Sequence, residues 1–139
     1  MDSELRQLHT ALMDLAAMMN EPRNDDALIA EAGIALDRAL FPLLVRIERK
    51  GPIGIVELAN ISGRDHTTVS RQVAKLESLG LVSRRAGKTD RRVRQAAVTK
   101  KGLAMTKALD DARERLAGPS LGRWSKKDRQ NLIRLLCKQ

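Results

Sequence analysis

Two stretches of the chain concentrate side chains that bind anions. The first holds Arg64, His66, Thr67, Thr68, Ser70, Arg71, Gln72 and Lys75; the second holds Arg84, Arg85, Lys88, Arg91, Arg92 and Arg94, with the single acid Asp90 among them. Short hydroxyls and cations suit phosphate oxygens, whereas Arg and Gln also match the donor and acceptor edges of purines. In the second stretch, Asp90 has two readings: it orients a neighbouring guanidinium, or it serves only as a turn residue.

The charge balance points the same way. The chain of 139 residues has a formal net charge of +9, and residues 64–101 alone hold 11 basic against 3 acidic side chains. Residues 1–63 are net acidic, with 6 basic and 10 acidic side chains. An acid-poor block inside a folded region favours a polyanionic partner over a merely solvated face. Aromatics are nearly absent, with Phe41 and Trp124 and no Tyr. That argues against single-stranded or RNA targets, whose bases stack on aromatic platforms, and against an aromatic-lined cofactor pocket.

Other chemistry finds little support. Asp65, His66 and Ser70 hold the residue types of a hydrolase trio, but the spacing gathers them around one helix start with no oxyanion element. His66 is better read as touching a phosphate, and no catalytic residue is assigned. His9, His66 and Cys137 lack metal-ligand spacing, so no metal or cofactor is expected. Cys137, the only cysteine, is a small apolar residue near the terminus more readily than a redox sensor. One cysteine implies a reducing compartment, the polar start is unlike a signal peptide, and no apolar run approaches a membrane span. The expectation is a soluble, cytoplasmic protein that is not an enzyme.

These residues need elements to position them. Leu5, Leu8, Leu12, Leu15 and Met19 recur at helical spacing, predicting a helix over 4–19 that Ser3 could cap. A polar break over 20–26 precedes a short helical piece over 27–32 that ends near Gly33. Leu36, Leu40, Leu43, Leu44 and Ile47 predict a helix over 36–50, in which Pro42 marks either a first-turn position or a kink. A short helix over 55–61 leads through Ser62-Gly63 to a helix over 66–79. Asp65 caps this helix and Val69, Val73, Leu76 and Leu79 form its buried stripe; its span is about 21 Å. The period then changes to that of two short strands over 81–85 and 93–98, around a tip containing Gly87 and Asp90. Thr99 caps a helix over 100–116 that Gly118-Pro119 stops, and Ser125 opens a last helix with Leu132, Leu135 and Leu136 on one face.

Helix, tight turn, helix and a basic ribbon make a winged helix-turn-helix. The fold class expected is mainly α with a small two- or three-stranded antiparallel β-wing. The helix over 66–79 would enter a major groove, with Arg71 and Gln72 as base readers, while the cationic tip would enter a neighbouring minor groove. The segments Ile55-Val-Glu-Leu-Ala, Asp65-His-Thr-Thr-Val-Ser-Arg-Gln-Val-Ala-Lys-Leu-Glu-Ser-Leu-Gly-Leu-Val, Thr89-Asp-Arg-Arg and Val98-Thr-Lys-Lys-Gly102, in that order, resemble the MarR family of transcriptional regulators. The resemblance spans about the central half of the chain. It implies a dimeric regulator, usually a repressor, on pseudo-palindromic double-stranded DNA. By position it puts Thr67, Thr68, Ser70 and Arg71 on the recognition helix and Arg92, supported by Asp90, on the wing.

Three regions are therefore expected: helical dimerisation segments at 1–35 and 100–139, flanking a DNA-binding domain at 36–99. Leu5, Leu8, Leu12 and Leu15, with Leu132, Leu135 and Leu136, form stripes that one small winged domain cannot bury alone, which favours a two-fold interface over an ordinary internal core. If a small-molecule effector exists, its expected place is between the DNA-binding lobe and the helical ends, with Leu12, Leu15, Leu44 and Met105 as lining. The alternatives are a protein-interaction module and a non-specific architectural DNA-binding protein.

Overall fold

The computed structural model describes residues 2–138. Its elements run α1 (Ser3–Met19), α2 (Pro22–Ala32), α3 (Phe41–Lys50), β1 (Ile53–Gly54), α4 (Ile55–Ser62), α5 (His66–Ser78), β2 (Val82–Ala86), β3 (Arg94–Val98), α6 (Lys100–Leu121) and α7 (Lys126–Leu136). The strands form one antiparallel sheet in the order β1-β3-β2, with Val82 opposite Val98 and Ile53 opposite Ala96. The fold is thus the expected winged helix-turn-helix, and a third strand completes the wing.

Several boundaries move, each for a local reason. Asp2, not Ser3, caps α1, its carboxylate accepting the Leu5 N–H at 2.7 Å. The segment expected to be a break is the first turn of α2. Pro22 sits where a helix has no use for its missing N–H, Asp25 complements the positive end, and Gly33 closes the helix at φ 66°. Leu36 and Leu40 are buried as their spacing requires, yet they precede the helix. Asp37 folds that segment into a turn, its carboxylate accepting from Ala39 N–H at 2.8 Å and its carbonyl from Leu40 N–H at 2.9 Å. The helix then starts at Phe41, so Pro42 takes the first-turn alternative. At the other end, Gly118-Pro119 does not stop α6. Proline deletes one donor, and the ladder resumes when Gly122 N–H donates to the Gly118 carbonyl at 2.7 Å.

The core lies where α3, α4, α5 and the sheet meet. Leu44, Ile47, Leu58, Val69, Val73 and Leu76 are wholly excluded from solvent, and Leu109 and Ala112 of α6 join them. Leu28 of α2 also belongs to this core, and Arg115 of α6 fastens α2 by an ion pair to the Glu31 carboxylate at 2.7 Å. By contrast, α1 and α7 bury none of their residues. No helix among the described residues is long and apolar enough to cross a membrane.

Candidate nucleic-acid interface

Helix α5 faces two ways. Val69, Val73 and Leu76 point into the core, and the remaining faces carry the polar residues. Its start is fixed by Asp65, whose carboxylate accepts the Thr68 N–H at 2.8 Å and the Thr68 hydroxyl at 2.5 Å. The hydroxyl bond first, and the backbone bond second, hold the Asp65 carboxyl below its ordinary value. Thr68 is thereby committed to the cap and stands half-buried, while His66, Thr67, Arg71 and Lys75 are exposed and Ser70 is half-buried. Thr68, Arg71, Gln72 and Lys75 line a cleft of ≈350 Å³ whose far wall is Asp37, Ala39 and Leu40.

Two expected contacts are occupied by protein partners. Arg64 donates to the Ala39 carbonyl at 3.0 Å and to Gln72 Oε1 at 2.7 Å, so this guanidinium braces α5 from the turn that precedes it. Arg84 leaves β2 toward α5, where its Nε stands 3.6 Å from a Glu77 carboxylate oxygen. That separation is an ion pair, not a hydrogen bond. Arg84 thus ties the wing to the recognition helix and does not extend the cationic tip.

The tip itself is built around Asp90. Its carboxylate accepts the Arg92 N–H at 3.0 Å and Arg92 Nε at 3.3 Å, so turn capping and guanidinium orientation occur together. The Arg92 side chain is 92% exposed, so this pair adds little to stability. Gly87 N–H donates to the Val93 carbonyl at 2.8 Å, and a side chain at Gly87 would meet the Asp90 carbonyl, which makes glycine necessary to the tight tip. Arg85, Lys88, Arg91 and Arg92 are all exposed. Arg94 instead lines a second cleft of ≈530 Å³ between β3 and α4, with Val56 and Val93.

The start of α6 supplies a feature that composition and charge did not disclose. Thr99 Oγ1 accepts the Gly102 N–H at 3.1 Å, capping α6, and donates to the Gly80 carbonyl at 2.7 Å. Lys101 Nζ donates to the Leu79 carbonyl at 2.9 Å. A Cβ at Gly102 would collide with the Leu81 carbonyl, so glycine alone lets α6 approach this closely. The carbonyl end of the recognition helix is therefore held by the first turn of α6. The Val98-Thr-Lys-Lys-Gly102 segment carried this signal, but its partners are 19 and 22 residues away.

The expected effector lining does not gather. Leu44 is a core residue because its helix face is sealed by α4, α5 and α6, and Met105 packs against that core. Leu12 and Leu15 stand exposed on α1, and neither cleft is lined by any of the four. Among the described residues, no three His, Cys, Asp or Glu side chains cluster in a way that could hold a metal ion. Cys137 is exposed.

A half-buried helix with an open polar face beside a cationic hairpin defines the winged helix-turn-helix class of DNA-binding proteins. The MarR family model matches residues 36–93. A curated relative, the uncharacterized HTH-type transcriptional regulator YxaD of Bacillus subtilis (strain 168), is 33% identical over 101 residues, covering 73% of this chain and 71% of the relative. The chain belongs to the MarR family, whose members are transcriptional regulators and not enzymes. Solved structures share its fold. A MarR family protein from Bacillus stearothermophilus superposes with a TM-score of 0.72 at 20% identity, covering 99% of this chain and 94% of that one. RV1404 from Mycobacterium tuberculosis superposes with a TM-score of 0.71 at 23% identity, covering 99% and 92%.

Proposed function

We propose that this protein is a sequence-specific transcriptional repressor that binds a pseudo-palindromic duplex as a homodimer. The observation that carries the reading is α5, whose apolar side is anchored in the core while Thr67, Arg71 and Lys75 stay open to solvent beside the Asp90-braced Arg92. In this reading α5 enters a major groove and the wing enters the adjacent minor groove. His66, Thr67 and Ser70 contact phosphate, with the free amides of the helix start; Arg71 and Gln72 reach base edges, and Arg85, Lys88, Arg91 and Arg92 supply the wing contacts. Residues 36–99 are the DNA-binding unit, and α1 and α7, from the flanking segments 1–35 and 100–139, supply the two-fold interface, while α2 and part of α6 pack on the core of that unit. The wholly unburied α1 and α7 support that interface, with Leu5, Leu8, Leu12 and Leu15 of one helix and Leu132, Leu135 and Leu136 of the other all between 37% and 56% exposed. Pairing two copies would set their recognition helices about one DNA turn, roughly 34 Å, apart. A small-molecule effector acting between the lobe and the terminal helices would change this spacing through the Thr99–Gly80 and Lys101–Leu79 bonds.

Selection of bound duplexes from a random library tests the reading. The expected result is enrichment of two related half-sites, with binding that falls steeply as salt rises. Arg71→Ala and Arg92→Ala should each weaken the selected duplex. Equal affinity for random and selected duplexes, or no effect of either substitution at moderate salt, would overturn it.

A further inference from the structure

The turn before α3 stands against the polar side of α5. Arg64 Nη1 donates both to the Ala39 carbonyl at 3.0 Å and to Gln72 Oε1 at 2.7 Å, so one guanidinium ties that turn to the helix. Asp37, Ala39 and Leu40 form one wall of the ≈350 Å³ cleft, and Thr68, Arg71, Gln72 and Lys75 form the other. Asp37 is the single acid among these lining residues, set in one cleft with the cations Arg71 and Lys75. Its carboxylate accepts the Ala39 N–H at 2.8 Å and, among the described residues, forms no ion pair. The neighbouring Arg38 guanidinium lies 3.5 Å from Asp26 instead. Other acids of α5 and the wing have partners that account for them: Asp65 holds Thr68, Glu77 pairs with Arg84, and Asp90 pairs with Arg92. The turn at Asp37 accounts for an acceptor but not for a charge, since asparagine closes the same kind of turn.

We propose that Asp37 attenuates duplex affinity, its charge acting on the phosphates that approach Arg71 and Lys75. A cleft of this size keeps its walls within the roughly 10 Å over which a charge still acts at about 0.1 M salt. With α5 in a major groove, the turn beside it stands toward a flanking sugar-phosphate strand. A carboxylate there repels the phosphates that Lys75 attracts. Phosphates are alike at every base step, so the penalty carries no sequence information. Asp37 thus lowers affinity for all duplexes together and leaves base preference to α5. The inference rests on the duplex-reading role of α5 proposed above.

The test measures affinity of the full-length protein for a duplex selected from a random library and for an unselected duplex of the same length. Asp37→Asn keeps an acceptor for the Ala39 N–H and removes only the charge. It should bind both duplexes about threefold more tightly at about 0.05 M salt, and the gain should shrink towards none at about 0.3 M as salt screens the carboxylate. Asp37→Glu retains the charge and should show no gain. Asp14→Asn removes the same charge from an exposed position on α1, outside the cleft, and should leave both affinities as they were. Asp37→Ser, whose hydroxyl also accepts within a turn, is a second neutral variant that should gain like Asp37→Asn. Circular dichroism confirms the fold of each variant, and a gain of affinity is not the mark of a damaged protein. Unchanged or weaker binding by the folded neutral variants overturns the proposal. So does a gain that persists at about 0.3 M salt, or an equal gain from Asp37→Glu or Asp14→Asn. An effect confined to duplexes carrying one particular base would make Asp37 a base reader and overturn it too. If the wild type binds neither duplex, the duplex-reading role of α5 itself fails. If it binds and the neutral variants match it, only the role of Asp37 fails.

Discussion

Helices α5 and α1 carry the same kind of apolar stripe and meet opposite fates. Val69, Val73 and Leu76 of α5 are completely buried, whereas Leu8 of α1, on an equally regular stripe, is 56% exposed. Helical periodicity says that one face is to be covered; it does not say whether the cover lies in the same chain. In α5 the cover is local, because α4 precedes it by a three-residue turn and β2 follows it after three residues. Helix α2 follows α1 after only two residues, yet α1 buries none of its residues, and α7 repeats that pattern. A stripe that stays bare on both terminal helices is what a two-fold helical interface requires of each copy.

Charge substitution separates the two cases most sharply. Val73→Asp puts an unpaired carboxylate into the core, with an expected loss above about 4 kcal/mol, enough to unfold a domain of this size. Thermal denaturation and circular dichroism would show it as loss of the cooperative transition. Leu12→Asp should leave the single-chain fold standing, since α1 buries none of its residues. Its effect belongs to assembly: sedimentation should show a monomer, and affinity for a duplex with two half-sites should fall about a hundredfold while a single half-site is bound as before. A dimer that survives both Leu12→Asp and Leu135→Asp would place the interface elsewhere.

A smaller contrast lies within the proposed DNA-binding face, between Arg92 and Arg84. Both are wing arginines paired with an acid. Arg92 stands free of the body, whereas the Arg84 side chain is only 27% exposed and reaches toward α5. Arg92→Ala should weaken duplex binding about tenfold, lower the salt slope by about one and leave the melting temperature unchanged. Arg84→Ala should do the reverse in kind, loosening the wing with a modest loss of thermal stability and an unaltered salt slope. An Arg84→Ala variant with the lower salt slope would return that residue to the phosphate contacts.

The sequence was most legible where every signal is local. The recognition helix was expected over 66–79 and runs His66–Ser78, because Asp65, the apolar spacing and Gly80 at φ 76° all lie within it or next to it. The wing strands were legible for the same reason. What escaped needed a distant partner or a competing local rule. Strand β1 is two residues long and exists only because β3 pairs with it. The helix expected from residue 36 was delayed by the Asp37 turn, although Leu36 and Leu40 took their core positions regardless. In the candidate site, residue types located the surface but not its internal bonds. Arg64 and Arg84 belong to the right cluster, and the contacts that redirect them, to Gln72 and Ala39 and to Glu77, depend on how helices and sheet pack.

The finest distinction concerns two of the capped helix starts, α5 and α7, one closed by a carboxylate and the other by the Ser125 hydroxyl. Of these two, the carboxylate cap alone can gain a proton in the acid range. Hydrogen bonds from Thr68 hold the Asp65 carboxyl below its ordinary value of 3.8, so the folded state favours the ionised cap. That contribution is present in full well above 3.8, begins to fade as the unfolded chain takes up its proton, and is gone once pH has fallen through the lowered native value. Asp65→Asn keeps an acceptor for the Thr68 N–H but has no proton to gain. Urea denaturation of the two proteins should therefore show wild type ahead at about pH 6 and the gap closing below about pH 4. Hydrogen exchange at the first turn of α5 should follow the same course, since those amides are the ones the cap protects. A gap that stays constant down to about pH 3 would mean that the ionised Asp65 carboxylate is no better a cap than the protonated one.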